Sequence, residues 1–450
     1  MEKADVIVIG SGQGGVPLAV DQARSGRRVV LFERGALGGS CINYGCTPSK
    51  ALLAAAHAAG RARLAAPLGI HAEVTVDFAR VMERVRGIRA SFRQGIEQRL
   101  ADAGVQIVHA EASFAGSSTV VGGGVEVQAP LVVINTGTGP TIPELPGLAG
   151  LPLLTNLNIF DLETLPRCTL ILGGGYIGLE LGQGLARLGS EVHIVHNHER
   201  LLNHEEPEVG EVLAEALRRD GIHLHLQSEV SQAVYQDGIC ALTLEDGQIL
   251  RGEAALLAAA GRTPNTAALG APAAGIALDK QGYVAIDEHF RTTAAGVYAI
   301  GDVARQPAFT HVSWEDYRRL QAILGGEERT RSDRVLGYAV YTEPQVGRVG
   351  LTLDQALAKG HRARSVTLPM AHIARAIEWG HDLGFYRLVV DEDTDKILGA
   401  TLVGYEAAEI VHVLLAHMQA DSTWKVLEQS VHIHPTYCEA LPSLARLLKQ

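Results

Sequence analysis

Two cysteines five positions apart, Cys41 and Cys46, stand in the run GGSCINYGCTPSKALL, behind a glycine pair and ahead of Pro48 and Lys50. Three chemistries use such a pair: half of a metal clip, a static bridge, or a disulfide that opens and closes. On a straight helix, residues five apart have Cα atoms roughly 8.6 Å apart. A disulfide spans only about 4.4–6.8 Å. A bridge here therefore needs a distorted segment, and Gly45, with Gly38 and Gly39, supplies the freedom. Pro48 starts a regular helix at little cost. That sets Cys46 near a helix N-terminus, where the macrodipole favours a thiolate. No second Cys or His pair with zinc spacing follows, and no metal site is expected. The residues favour the redox-active pair, with the clip and the static bridge as alternatives.

Two glycine fingerprints offer a source of electrons. Gly10, Gly12 and Gly15 form G-x-G-x-x-G directly after an apolar run, and Glu33 lies 18 residues beyond Gly15, at the end of the next apolar run. The glycines permit a tight turn, close approach of a pyrophosphate and helix-on-strand packing; an acid at that position accepts from ribose hydroxyls. Gly173, Gly175 and Gly178 repeat the pattern, but the acid position holds His196. His198 and Arg200 nearby tilt the reading toward NADPH, with NADH as the alternative and solvated loop residues as the plainer one. Two dinucleotide units imply one nucleotide passing electrons to another: a flavin held at the first, a nicotinamide visiting the second.

Near the C-terminus, HPTYCE sets His434 five residues before Glu439. A dithiol cycle needs a proton acceptor and donor near neutrality, which histidine provides, and a carboxylate on its other nitrogen fixes the tautomer. The alternative is a surface histidine on a turn. His432 and Cys438 could join His434 around a soft metal, but packing is their expected role.

The elements that must position these groups follow from patterning. Each fingerprint reads as strand, glycine turn, helix, strand. Residues 60–120 read as charged helix and then short strands. LVVINTGTGP, EAALLAAAGRTPN and GVYAIGDV each run from a strand into a glycine loop. Strands are expected around 338–350, 363–369, 385–391 and 397–403, with a terminal helix. Pro143 to Pro152 and EERTRSDR, ending at Arg334, are the natural crossings. At 450 residues the chain needs several cores. A net charge of −11 without basic runs argues against nucleic acid. Short apolar runs argue against a signal peptide or a membrane span, and five scattered cysteines against a secreted disulfide framework. A cytoplasmic location is expected.

The cysteine segment resembles the G-G-x-C-x-N-x-G-C-x-P-[ST]-K signature of the class I pyridine nucleotide-disulfide oxidoreductases, and GGGYIGLELG, GRTPN, YAIGDV and HIHPTYCEALP stand in that family's order. The resemblance implies an α/β fold of two Rossmann-like dinucleotide-binding domains plus a C-terminal α+β dimerisation domain. It divides the chain into 1–146 and 265–331 (FAD-binding), 147–264 (NAD(P)-binding) and 332–450 (interface). Cys41 would be the thiol that meets substrate and Cys46 the thiol against the flavin. Lys50 and Glu180 would pair beside the flavin, Tyr176 would gate the nicotinamide pocket, and Asp302 would hold the ribityl chain. Gly39, Ser40, Thr136, Gly137, Gly261, Arg262 and Gly301 would line the cofactors. The His434–Glu439 dyad would come from the partner in a homodimer that shares its active sites.

Within the family, FTHVSWEDYRRL and RVGLTLDQALAKG look most like mercuric-reductase-type proteins and a related branch that reduces copper(II) and protects against reactive chlorine. The chain shows neither an N-terminal Cys-x-x-Cys domain nor a C-terminal vicinal cysteine pair, so copper(II) or another small oxidant is expected ahead of mercury. Dihydrolipoamide or a small disulfide is the alternative acceptor, and a flavin-binding thiol sensor the alternative of another class.

Overall fold

The computed structural model describes residues 1–257 and 261–450. Positions 258–260, expected to lead from a strand into the Gly261 loop, lie outside the described residues. In chain order the first unit contains β1 (Val6–Ile9), α1 (Gly15–Arg24), β2 (Val29–Phe32), α2 (Gly39–Tyr44), α3 (Cys46–Arg63), α4 (Phe78–Asp102), β3 (Gln106–Val108) and β4 (Leu131–Ile134). The second contains β5 (Cys168–Leu172), α5 (Tyr176–Leu188), β6 (Glu191–Val195), β7 (His223–His225) and β8 (Ala254–Leu257). The chain then returns through β9 (Val297–Ala299) and α6 (Thr310–Leu324).

All residues of β1, β2 and β4 are buried, as unbroken apolar runs are when helices cover both faces of a parallel sheet. The strand order is β9-β4-β1-β2-β3. Connections from β1 thus leave in opposite directions, and a crevice opens at the carboxyl ends of β1 and β4, the usual ligand position in such sheets. The second parallel sheet runs β7-β6-β5-β8 and repeats the logic between β5 and β8. Because β9 pairs with β4, the first sheet is completed by chain that lies beyond the second unit. The C-terminal part is a five-stranded antiparallel sheet drawn from Gly337–Val340, Gln345–Gly350, Ala363–Pro369, Phe385–Asp391 and Ile397–Gly404, covered by helices Ala407–Gln419 and Ala440–Arg446. The expected fold class is therefore observed. Among the described residues no helix is long and apolar enough to cross a membrane.

One buried polar network fixes the three parts against each other. Arg187 on α5 bonds Asp220 at 2.9 Å and also pairs with Glu343, while its guanidinium lies 3.0 Å from His57 Nδ1 on α3. Gln183 donates to Asp220 at 2.7 Å and to the Glu343 carbonyl at 2.8 Å. The Arg187 side chain is only 5% exposed, so its charge depends on these partners. Asp220→Ala, leaving that charge undercompensated, is expected to cost about 3–5 kcal/mol; chemical denaturation of the purified protein measures it.

Candidate active site

The fingerprint glycines are demanded by contact. A Cβ on Gly10 would lie 2.3 Å from the Asn135 carbonyl oxygen, and one on Gly15 2.2 Å from the Gly10 carbonyl oxygen. β4, β1 and α1 therefore approach too closely for any side chain. Glu33 accepts from the Ser11 amide at 2.9 Å and its hydroxyl at 2.6 Å, tying the acid to the glycine loop.

From this loop a cleft of about 950 Å³ runs to the cysteines. Gly10, Gly12, Glu33, Gly39, Ser40, Thr136, Gly137, Arg262 and Asp302 line it, as do Cys41, Cys46, Lys50, Tyr176 and Glu180. Gly15, Gly173, Gly175, Gly178, His198, Arg200, Gly261, Gly301, His434 and Glu439 do not. Thr136 Oγ1 is buried without a partner, and Asp302 is held by Thr138 at 3.0 Å with Arg262 at 3.7 Å. A long polar-ended cleft with an orphaned hydroxyl and a carboxylate at the β9 turn fits a dinucleotide cofactor.

The distortion required between the cysteines is present. α2 ends at Tyr44, Gly45 adopts φ −141°, ψ −119°, and α3 begins at Cys46. Both sulfurs are free thiols, and they interact. Cys46 is pulled down to about 6, chiefly by the hydrogen bond from Cys41, against burial and with help from Thr310 and Lys50. Cys41 is pushed up by the same contact with Cys46 and by burial. The Thr310 hydroxyl lies 3.1 Å from Cys46 Sγ, so the first residue of α6 stabilises the thiolate.

Lys50 Nζ and Glu180 Oε2 meet at 2.7 Å. The Glu180 carboxylate is buried and also accepts from the Tyr341 amide at 2.9 Å; the Lys50 ammonium lies 4.3 Å from the Tyr341 ring centroid. Tyr176, the first residue of α5, brings the second unit to the cleft. Its ring stands 6.0 Å from Phe309, which stacks on Tyr338 at 5.2 Å, and burial raises its hydroxyl's pKa.

The second fingerprint's neighbours are arranged differently from one another. His196 is buried, its Nε2 unpartnered, and burial lowers its pKa; its ring fills the space left by Gly174. His198 is exposed, and Arg200 pairs with Glu199 at 3.2 Å. His434 Nδ1 lies 2.8 Å from Glu439 Oε2, so the dyad exists, but the His434 side chain is 73% exposed and outside the cleft. Cys438 packs against the C-terminal core, and His432 meets Ser430 at 2.9 Å.

The sequence reading passed over Thr310 and two asparagines. Asn135 accepts from the Gly15 amide at 2.9 Å and donates to the Ile300 carbonyl at 3.0 Å. Asn43, fully buried, holds the Leu37 carbonyl at 2.9 Å. A polar residue inside an apolar strand run, as in LVVINTG, was the available signal for the first.

A dithiol in a cleft walled by two dinucleotide-type units is the arrangement of a flavin- and nicotinamide-dependent disulfide oxidoreductase. The chain belongs to the pyridine nucleotide-disulphide oxidoreductase family, an enzyme family whose pattern matches residues 4–316, with its dimerisation domain matched over 337–445. It is 32% identical over 460 residues to the probable pyridine nucleotide-disulfide oxidoreductase RclA of Escherichia coli, covering 100% of both chains. A structure of the Cu(II) complex of that HOCl-induced flavoprotein disulfide reductase matches with a TM-score of 0.91 at 30% identity, again over 100% of each chain. The mercuric reductase of Streptomyces lividans is 35% identical over 455 residues (98% of this chain, 95% of the relative). A dihydrolipoyl dehydrogenase of Halobacterium salinarum is 33% identical over 452 residues (97% and 94%).

Thr310→Val removes a hydrogen bond to an anion. The pH midpoint for alkylation of Cys46 in the reduced protein, expected at about 6, should move up toward the ordinary thiol value. Thiolate is present above the midpoint and lost below it, so at about pH 5 alkylation by iodoacetamide should slow about tenfold.

Proposed function

We propose that the chain binds FAD in the cleft and NADPH at the second unit, and passes two electrons through Cys41 and Cys46 to a metal ion, copper(II) foremost and mercury(II) next. The observation that carries this is the convergence of both cysteines, Lys50–Glu180 and Tyr176 on one cleft. NADH is the alternative donor: with neutral His196 in place of a carboxylate, selection falls to His198 and Arg200. The sheet organisation supports the division into 1–146 with 265–331, 147–264, and 332–450.

When bound, FAD supplies hydride acceptance from nicotinamide and two-electron transfer to sulfur. The protein supplies the rest. Gly10–Gly12 and the α1 N-terminus would hold the pyrophosphate, Glu33 the ribose, and Asp302 the ribityl chain. Lys50, fixed by Glu180, sets positive charge beside the redox centre, and Tyr176 excludes water until nicotinamide displaces it. Cys46 holds negative charge as a thiolate facing the flavin position. Cys41, whose proton is held tightly, needs a base to become the nucleophile that meets the acceptor.

That base is His434 of a second copy. Its Nδ1 is engaged by Glu439, leaving Nε2 to take the proton. Val431 and Ile433, 98% and 80% exposed, flank it as apolar side chains awaiting cover, and the dimerisation domain supports a homodimer with shared sites. Acceptor reduction balances when two copper(II) ions become copper(I), or one mercury(II) ion becomes the metal, as the Cys41 thiol and Cys46 thiolate form a disulfide, giving up two electrons and the one Cys41 proton, which His434 takes. Dihydrolipoamide oxidation is the second reading, favoured by the similarity to the Halobacterium salinarum dihydrolipoyl dehydrogenase.

Steady-state NADPH oxidation with copper(II), mercury(II) and lipoamide ranks the acceptors; no turnover with any of them would leave a thiol sensor. Cys41→Ser should abolish acceptor reduction yet keep reduction of bound flavin by NADPH, and loss of both would contradict the assigned order. His434→Ala should lower turnover about 10²–10⁴-fold, measured in the same assay.

A further inference from the structure

We propose that the margin of the second parallel sheet carries a divalent-metal site, built from Cys168, Glu191, His193 and His223, for a cation of borderline softness such as zinc(II). None of these residues lines the flavin cleft, so the site stands apart from the redox function proposed above.

The strand register assembles it. Cys168 on β5 pairs with Glu191 on β6, and His193 on β6 pairs with His223 on edge strand β7. Residues two apart on a strand share a face, so Glu191 and His193 point the same way, as do His223 and His225. Further along that face Leu170 and Val195 are covered by the apolar side chains Ala233, Cys240 and Leu242. The titratable residues lie at the margin of that cover, Cys168 and His193 half-buried and Glu191 and His223 exposed.

Two imidazoles crowd one carboxylate. Glu191 Oε1 lies 3.2 Å from His193 Nε2 and 3.8 Å from His223 Nε2, and the His193 and His223 rings stack with centroids 4.5 Å apart. One ligand atom from each of Cys168, Glu191 and His193 lies within 4.8 Å of the others. Tetrahedral zinc with bonds of about 2.0–2.3 Å sets neighbouring ligand atoms roughly 3.3–3.8 Å apart. The two Glu191–histidine distances fall near that range, and the thiol, which now donates to the Arg251 carbonyl at 3.3 Å, would turn from that carbonyl to join them. His193 Nδ1 lies 3.0 Å from His225 Nε2. With the proton on His193 Nδ1, that contact aims the Nε2 lone pair at the Glu191 side, the way a supporting hydrogen bond orients a ligating histidine. His225 is thus a positioning residue. The mixed sulfur, nitrogen and oxygen set selects zinc-like cations over magnesium or calcium. The expectation of no metal site rested on local spacing, and these ligands come from three strands.

The test is equilibrium dialysis of zinc(II) against the flavin-loaded protein carrying Cys41→Ser and Cys46→Ser, which silences the redox pair. One zinc per chain should be retained. His223→Ala, on the exposed edge strand, should weaken binding about tenfold or more, and His225→Ala about 10–100-fold. Zinc should raise the thermal midpoint of the parent and leave that of His193→Ala/His223→Ala unchanged. Cobalt(II) in place of zinc should give a thiolate charge-transfer band in the difference spectrum, lost in Cys168→Ser. A parent that retains no zinc, or a double histidine variant that binds it as the parent does, would overturn the site; cobalt bound without the band would remove Cys168 from it.

Discussion

Everything at the active centre depends on the interruption of one helix at Gly45. A continuous helix from Gly39 to Arg63 would hold Cys41 and Cys46 roughly 8.6 Å apart at Cα and leave two unrelated thiols. Ending α2 at Tyr44 and restarting at Cys46 lets the sulfurs interact and gives Cys46 the first position of a fresh helix. The proton is then shared unequally: Cys46 gives it up readily, Cys41 keeps it. One backbone break thereby creates both a reducible pair and its directionality. Space enforces it too, because a Cβ on Gly45 would lie 3.0 Å from the Ser40 carbonyl oxygen.

The helix that restarts there is also the one the second unit grips. α3 and α5 pack closely, with Gly60 lying against Arg187 and Gly184 against Leu53. At one end of that contact Lys50 meets Glu180; at the other Arg187 gathers Asp220, Glu343 and His57. Glu180 reaches the antiparallel domain through the Tyr341 amide, and Gln183 reaches it through Glu343. Buried charges without partners are costly, so these pairs hold the three parts in a single register. The orientation of Lys50 is a by-product of domain packing.

The same economy explains what the chain leaves unfinished. Among the described residues the cleft gathers Cys41, Cys46, Lys50 and Glu180 but no histidine lines it, while His434 and Glu439 pair outside it. Exposed Val431 and Ile433 beside the dyad and a matched dimerisation domain are consistent with the shared-site homodimer proposed above.

Much of this was legible in the residues. The glycine spacings, the acid after β2 and the cysteine segment are local patterns whose physics is local: tight turns, helix starts and chain distortion act over a few positions. The strands expected in 338–403 follow the same rule, since alternation and apolar runs report burial directly. Beyond that range the sequence is silent. That Thr310 serves Cys46, that Asn135 clamps the α1 turn, and that His196 turns inward rather than toward a ribose are decided by elements more than a hundred residues apart or by packing against Gly174. The ladder of Cys168, Glu191, His193 and His223 is the clearest case. Strand register alone brings those side chains to one face, and register is a property of pairing between strands, which no single stretch of sequence contains.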